Sequence, residues 1–184
     1  MPIFGRWRAE RQLQERAERF VSVLNAPPDG TDVAWLAAVA TRGDTDHAAW
    51  ELRYARRALG LVSAQRDALD DRTGAIVAHT MAAAFERDRN IGRDRLELAH
   101  RQFNARLSAY RDAVGARVSG ATPARLGRTL LAFAGGSFRE VDANVTRAGD
   151  LLAGYLQAAN DSLREIFGTA TLPEHVPPSA IERH

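Results

Sequence analysis

Apolar residues in this chain recur at steps of three and four, and over no useful length do they alternate with polar ones. A period near 3.6 lays side chains along one face of an α-helix, whereas a half-buried strand needs a period of two. The spacing therefore predicts an all-α protein, an elongated antiparallel bundle of about six to seven helices.

The turn residues place the breaks. Arg8 to Leu24 carries Leu13, Ala17, Phe20, Val21 and Leu24 on one stripe, "NAPPDGTD" ends it, and Thr31 offers the next N-cap. A short helix over "DVAWLAAVA" stops at Gly43, with Asp44 or Thr45 placed to cap a third helix from about Asp46 to Asp70. The stretch "RDALDDRTGAIVAH" then reads as a corner at Asp71 to Gly74, where Asp71 or Thr73 would cap the following helix. That helix runs on Ile76, Val77, Thr80, Met81, Ala84 and Phe85 until Asn90 and Gly92 stop it.

The most regular stripe follows, on Leu96, Ala99, Phe103, Leu107, Tyr110, Val114 and Val118. "SGATP" ends it, and a short helix from Pro123 through Leu126, Leu130 and Phe133 stops at "AGGS". A last helix is predicted from about Ser137 to Phe167 on Phe138, Val141, Val145, Leu152, Tyr155, Ala159 and Ile166. Residues 1–168 thus read as one helical domain, and residues 169–184, with three prolines and no periodicity, as a flexible tail. At ~1.5 Å per residue the longest helices would reach about 40 Å, long enough for part of their apolar surface to need a second copy.

Composition removes several function classes. Among 184 residues there is no cysteine, which leaves no disulfide, thiolate metal site or cysteine nucleophile. All 25 basic side chains are arginine, and they are interleaved with acids: six against six from Arg42 to Arg72, and eight against five from Glu86 to Arg117. Neither segment is a basic block. The longest charge-free run, Thr73 to Phe85, has thirteen residues, short of the roughly 18 that span a bilayer. A cytoplasmic protein is expected, and no cofactor, since no G-x-G-x-x-G, P-loop or G-x-S-x-G motif occurs.

The candidate sites are few. "ELAH" places Glu97 and His100 at the Glu-x-x-His spacing of carboxylate-bridged metal bundles, with Asp44, His47 and Glu51, or His79 and Glu86, as possible supplements. Two such motifs and two further glutamates are normally needed, and here there is one. Asp67, Asp70 and Asp71 read as caps rather than a cation cage. Arginines from Arg87 to Arg117, with Phe103 and Tyr110 among them, form the best nucleic-acid candidate, weakened by interleaved acids and by aromatics that fall in the core stripe. "MPIFGRWR", residues 1–8, mixes Phe4 and Trp7 with arginines in the manner of a membrane-surface segment, but over only two turns. The expectation is a non-enzymatic structural, adaptor or regulatory module that binds a protein partner or itself. Trp7, Trp35, Trp50 and Tyr54 are its candidate anchors, each with the core as a competing home.

Overall fold

In the computed structural model the chain is described over residues 3–68, 70–116, 122–136 and 142–168, with side chains from Trp7 onward. Seven α-helices and no strand occur among these residues: α1 (Ile3–Leu24), α2 (Gly30–Val39), α3 (Thr45–Asp67), α4 (Asp71–Glu86), α5 (Leu96–Gly115), α6 (Thr122–Phe133) and α7 (Ala143–Phe167). A single 3₁₀ turn, Arg93–Arg95, leads into α5. The expected all-α bundle is what forms. The tail over 169–184, Leu69, Val118, and the Ser137–Val141 start of the expected last helix lie outside the described residues.

Local chemistry explains the breaks, with shifts of a few residues. Gly43 and Gly135 take left-handed φ of 88°, a region open to glycine at no steric cost, and end α2 and α6 as expected. Asp44 caps α3, accepting from the His47 amide at 2.9 Å. The α2 cap is Asp29 rather than Thr31: its carboxylate accepts from the Thr31 amide at 2.7 Å, so the helix opens two residues earlier. α3 ends at Asp67 and α4 opens at Asp71, so the corner precedes Asp71 and is not at Asp71–Gly74. Asp70 accepts from the Thr73 amide at 2.6 Å, which makes Asp71 to Gly74 the first turn of α4. Asp70, Asp71 and Thr73 all have cap-forming side chains, and Asp70 is the one that makes the capping bond.

Helix α3 is the central element. It is buried on most of its circumference, from Ala48 to Ala64, and touches each of the other six helices. α3 and α4 are antiparallel, as Arg57 meeting Asp88 and Gly74 lying against Ala64 require. Glu10 meets Arg72 and Gln14 meets Thr80, so α1 and α4 run in the same direction. One contiguous core joins Phe20, Leu36, Leu52, Leu59, Phe85, Tyr110, Leu130 and Leu152.

The seam of α5 is rotated from its expected position. Its buried residues are Ala99, Phe103, Arg106, Tyr110 and Ala113, while Leu107 and Val114 are half-buried. The reason is a single charged side chain that finds its partner inside.

Candidate functional site

Asp44 fixes the first turn of α3, and helical spacing then sets His47, Trp50, Glu51 and Tyr54 toward one side. From α5, Leu98, Gln102 and Arg106 follow at steps of four. These residues, with Asn90, Ile91, Gly92 and Arg95 of the α4–α5 connection, line a cleft of about 310 Å³. Its floor is an ion pair. Arg106 Nε donates to Glu51 Oε2 at 2.8 Å, Arg106 Nη2 donates to Oε1, and Arg106 Nη1 donates to the Gln102 carbonyl at 3.0 Å. The Glu51 side chain is 2 % exposed and that of Arg106 10 %.

Two rings flank the guanidinium, Tyr54 at 5.1 Å and Phe133 at 4.5 Å. Such faces stabilise a desolvated cation. Burial works against the charge on Arg106, but the bonds from Glu51 outweigh it and raise the pKa above the ordinary arginine value. His47, at the cleft mouth, brings Nε2 within 3.3 Å of Glu51 Oε1. Burial raises the Tyr54 phenol, and its hydroxyl lies 3.4 Å from Gln102 Oε1. Burial also raises Tyr110, whose hydroxyl is enclosed without a partner. The Glu51 carboxylate is thus bonded by a bidentate guanidinium and met by an imidazole, an arrangement that holds α3 and α5 in register.

A second ion pair lies nearby. Arg57 donates from Nε to Asn25 Oδ1 and from Nη2 to Asp88 Oδ2, each at 2.7 Å. Its Nη1 is buried with no partner. Asp88 also accepts from the Asn90 amide at 3.0 Å. Burial pushes the Asp88 carboxyl up, but the bonds from Arg57 and Asn90 win and hold it below the usual value.

The anchors foreseen from sequence separate into different environments. Tyr54 is 4 % exposed and sits in the core among Trp50, Phe85 and Phe103. Trp35 and Trp50 are half-buried, beneath the guanidiniums of Arg147 and Arg53. Trp7 alone of the four is open to solvent, at 60 %.

Glu97 is exposed, whereas His100 lies against the Phe85 ring at 4.9 Å. Among the described residues no three His, Asp or Glu side chains are placed to hold a metal ion. Asp44 is taken up as the cap of α3, and Glu51 as the partner of both Arg106 and His47. In the arginine-rich segment Phe103 and Tyr110 are buried, which leaves them unavailable for stacking on bases, and Arg117 lies outside the described residues. No described helix is long and apolar enough to cross a membrane.

What sequence reasoning missed is the pairing of Glu51 with Arg106 and of Arg57 with Asp88. A signal existed for the burial of Arg106, though not for its partner. The positions Ala99, Phe103, Arg106, Tyr110 and Ala113 step by four, three, four and three, a seam broken by one charge.

The other notable surface is the N-terminal part of α1. Trp7 to Gln12 are exposed on every face, whereas Ala17, Phe20, Val21 and Leu24 pack into the core. Arg11 lies over the Trp7 ring at 5.7 Å and pairs with Glu15 at 3.2 Å. No family model matches this chain, and neither a curated protein nor a solved structure matches it.

Proposed function

We propose that this chain is a non-enzymatic helical interaction module that engages a protein partner through the N-terminal end of α1, with Trp7 as the anchor. The observation that carries the reading is the exposure of Trp7 to Gln12 around the whole helix. A helix derives most of its stability from burying one face, and a short stretch that buries none is marginal in water. A tryptophan ring held in solvent on such a stretch is the residue type that dominates contact surfaces. The two buried ion pairs, Glu51 with Arg106 and Asp88 with Arg57, support the same reading from the other side. Their charged groups are engaged with one another, and their evident role is to hold the body together. The setting we propose is the cytoplasm, in keeping with the absence of cysteine from all 184 residues.

The test is native mass spectrometry of the protein purified from its own cells, beside the Trp7→Ala variant. The expected result is a complex with a second protein chain that is weakened at least about tenfold in the variant, a typical hot-spot loss, while circular dichroism shows unchanged helicity. A variant that keeps the complex, or loses its helicity, overturns the reading of Trp7 as an anchor.

A further inference from the structure

We propose that the partner is a second copy of this chain, docked antiparallel across the outer face of α1. The inference rests on the interaction-module reading and names its partner. Arg8, Arg11, Glu15 and Glu18 follow at steps of three, four and three, so they share one face of α1, and all four are exposed. Ala17, Phe20, Val21 and Leu24 are buried on the opposite side. Along the outer face the sign changes once, with two guanidiniums toward the N-terminus and two carboxylates toward the C-terminus.

The pattern has a further regularity. Every charged position from Arg8 to Glu18 faces an opposite charge when the helix is reflected about Leu13: Arg8 with Glu18, Glu10 with Arg16, and Arg11 with Glu15. A contact with two-fold symmetry must be self-complementary under this reversal. Two α1 helices running in the same direction would set like charges level with one another. Reversing one of them places each copy's Arg8 beside the other's Glu18 and each Arg11 beside the other's Glu15, so that both ends of the contact are matched.

Trp7 flanks this seam at each end and is withdrawn from water there. Within one copy the seam charges make only exposed contacts, Arg11 to Glu15 at 3.2 Å and Gln14 Nε2 to Glu18 Oε1 at 2.9 Å. Such contacts are worth little and can be exchanged for others across the dimer. A seam built of exposed charges makes an association that is modest and salt-dependent.

The experiment is sedimentation equilibrium of the full chain at low and high salt, with two charge variants. Arg8→Glu with Arg11→Glu makes the outer face wholly acidic, and Glu15→Arg with Glu18→Arg makes it wholly basic. The expected result is a wild-type dimer whose Kd rises at least about tenfold between low and high salt, two variants that stay monomeric alone, and an equimolar mixture of them that pairs.

Wild-type protein that is monomeric at all concentrations overturns the proposal. So does a variant that dimerises as well as the wild type, or a mixture that stays monomeric. Circular dichroism confirms that each variant is folded; a double variant that unfolds is replaced by Arg11→Glu or Glu15→Arg alone, with the same expectations. A monomer that still shows a Trp7-dependent complex with a different protein removes the second copy and leaves the module reading standing. A monomer with no such complex removes both.

Discussion

Glu51 and Arg106 are 55 residues apart in sequence and meet where neither charge could be kept alone. The pair therefore behaves asymmetrically under mutation. Removing one partner strands a desolvated charge, and breaking a buried pair in this way costs about 3–5 kcal/mol. Glu51→Ala is expected to lower stability by that amount in chemical denaturation, and Arg106→Ala similarly. Glu51→Leu combined with Arg106→Met replaces both charges with apolar volume and is expected to recover most of the loss. A double variant as unstable as the single ones would show that the fork geometry itself, and not desolvation, sets the cost. Arginine is used elsewhere for the same fixed fork. Arg125 donates to the Ala113 and Ala116 carbonyls at the end of α5, and Arg56 to those of Ala26 and Pro27. In a chain without lysine, the guanidinium serves as a structural donor as much as a surface charge.

At the scale of elements, α6 and α7 show how closely two helices can approach. A Cβ on Gly127 would run into the Val145 carbonyl, and one on Gly149 into the Pro123 carbonyl. Gly154, also within α7, faces open space. Glycine is a poor helix former, so by propensity each change to alanine should stabilise by about 1 kcal/mol. The prediction is that Gly154→Ala does so, while Gly127→Ala destabilises by about 1–3 kcal/mol because backbone would have to move. Thermal unfolding of the two variants decides it, and a stabilised Gly127→Ala would mean that the helices have room to part.

Elements of this kind were legible in the sequence wherever the cause is local. The stripe on Ala17, Phe20, Val21 and Leu24 and the stops at Gly43 and Gly135 depend only on neighbours in the chain. Which residue caps α4 is less so, since Asp70, Asp71 and Thr73 stand within four positions and all have the chemistry. His47, Trp50, Glu51 and Tyr54 each stand out in the sequence, but as unrelated candidates for metal binding and docking. What joins them is Arg106, and its place opposite Glu51 depends on how α5 crosses α3, which no spacing within either helix encodes.

For the whole molecule, Asp88 is the joint that acid would open. Through Arg57 it ties α3 to Asn25 at the end of α1, and through Asn90 it shapes the connection to α5. Its carboxyl is held below the ordinary 3.8, and that of Asp70 below the same value through the Thr73 amide. A carboxyl depressed on folding contributes stability that is present above its unfolded value and is lost as pH falls through its folded one. Stability is therefore expected to change little from these groups down to about pH 4 and to fall below it. Asp88→Asn should be less stable at neutral pH and show a shallower decline in acid. Urea midpoints measured against pH test this, and an unchanged acid slope in the variant would exclude Asp88 as the joint.

The edge-to-face contact of Phe20 in α1 with Phe167 in the last turn of α7, centroids 6.2 Å apart, bears on how such a chain is made. Phe20 is among the first core residues to leave the ribosome, yet its cover is among the last described residues to follow. Synthesis at ~5–20 residues per second leaves the inner stripe of α1 waiting for many seconds. The interval is long enough for a chaperone to bind that stripe first, and the contact that covers Phe20 cannot close until the last turn of α7 has been made.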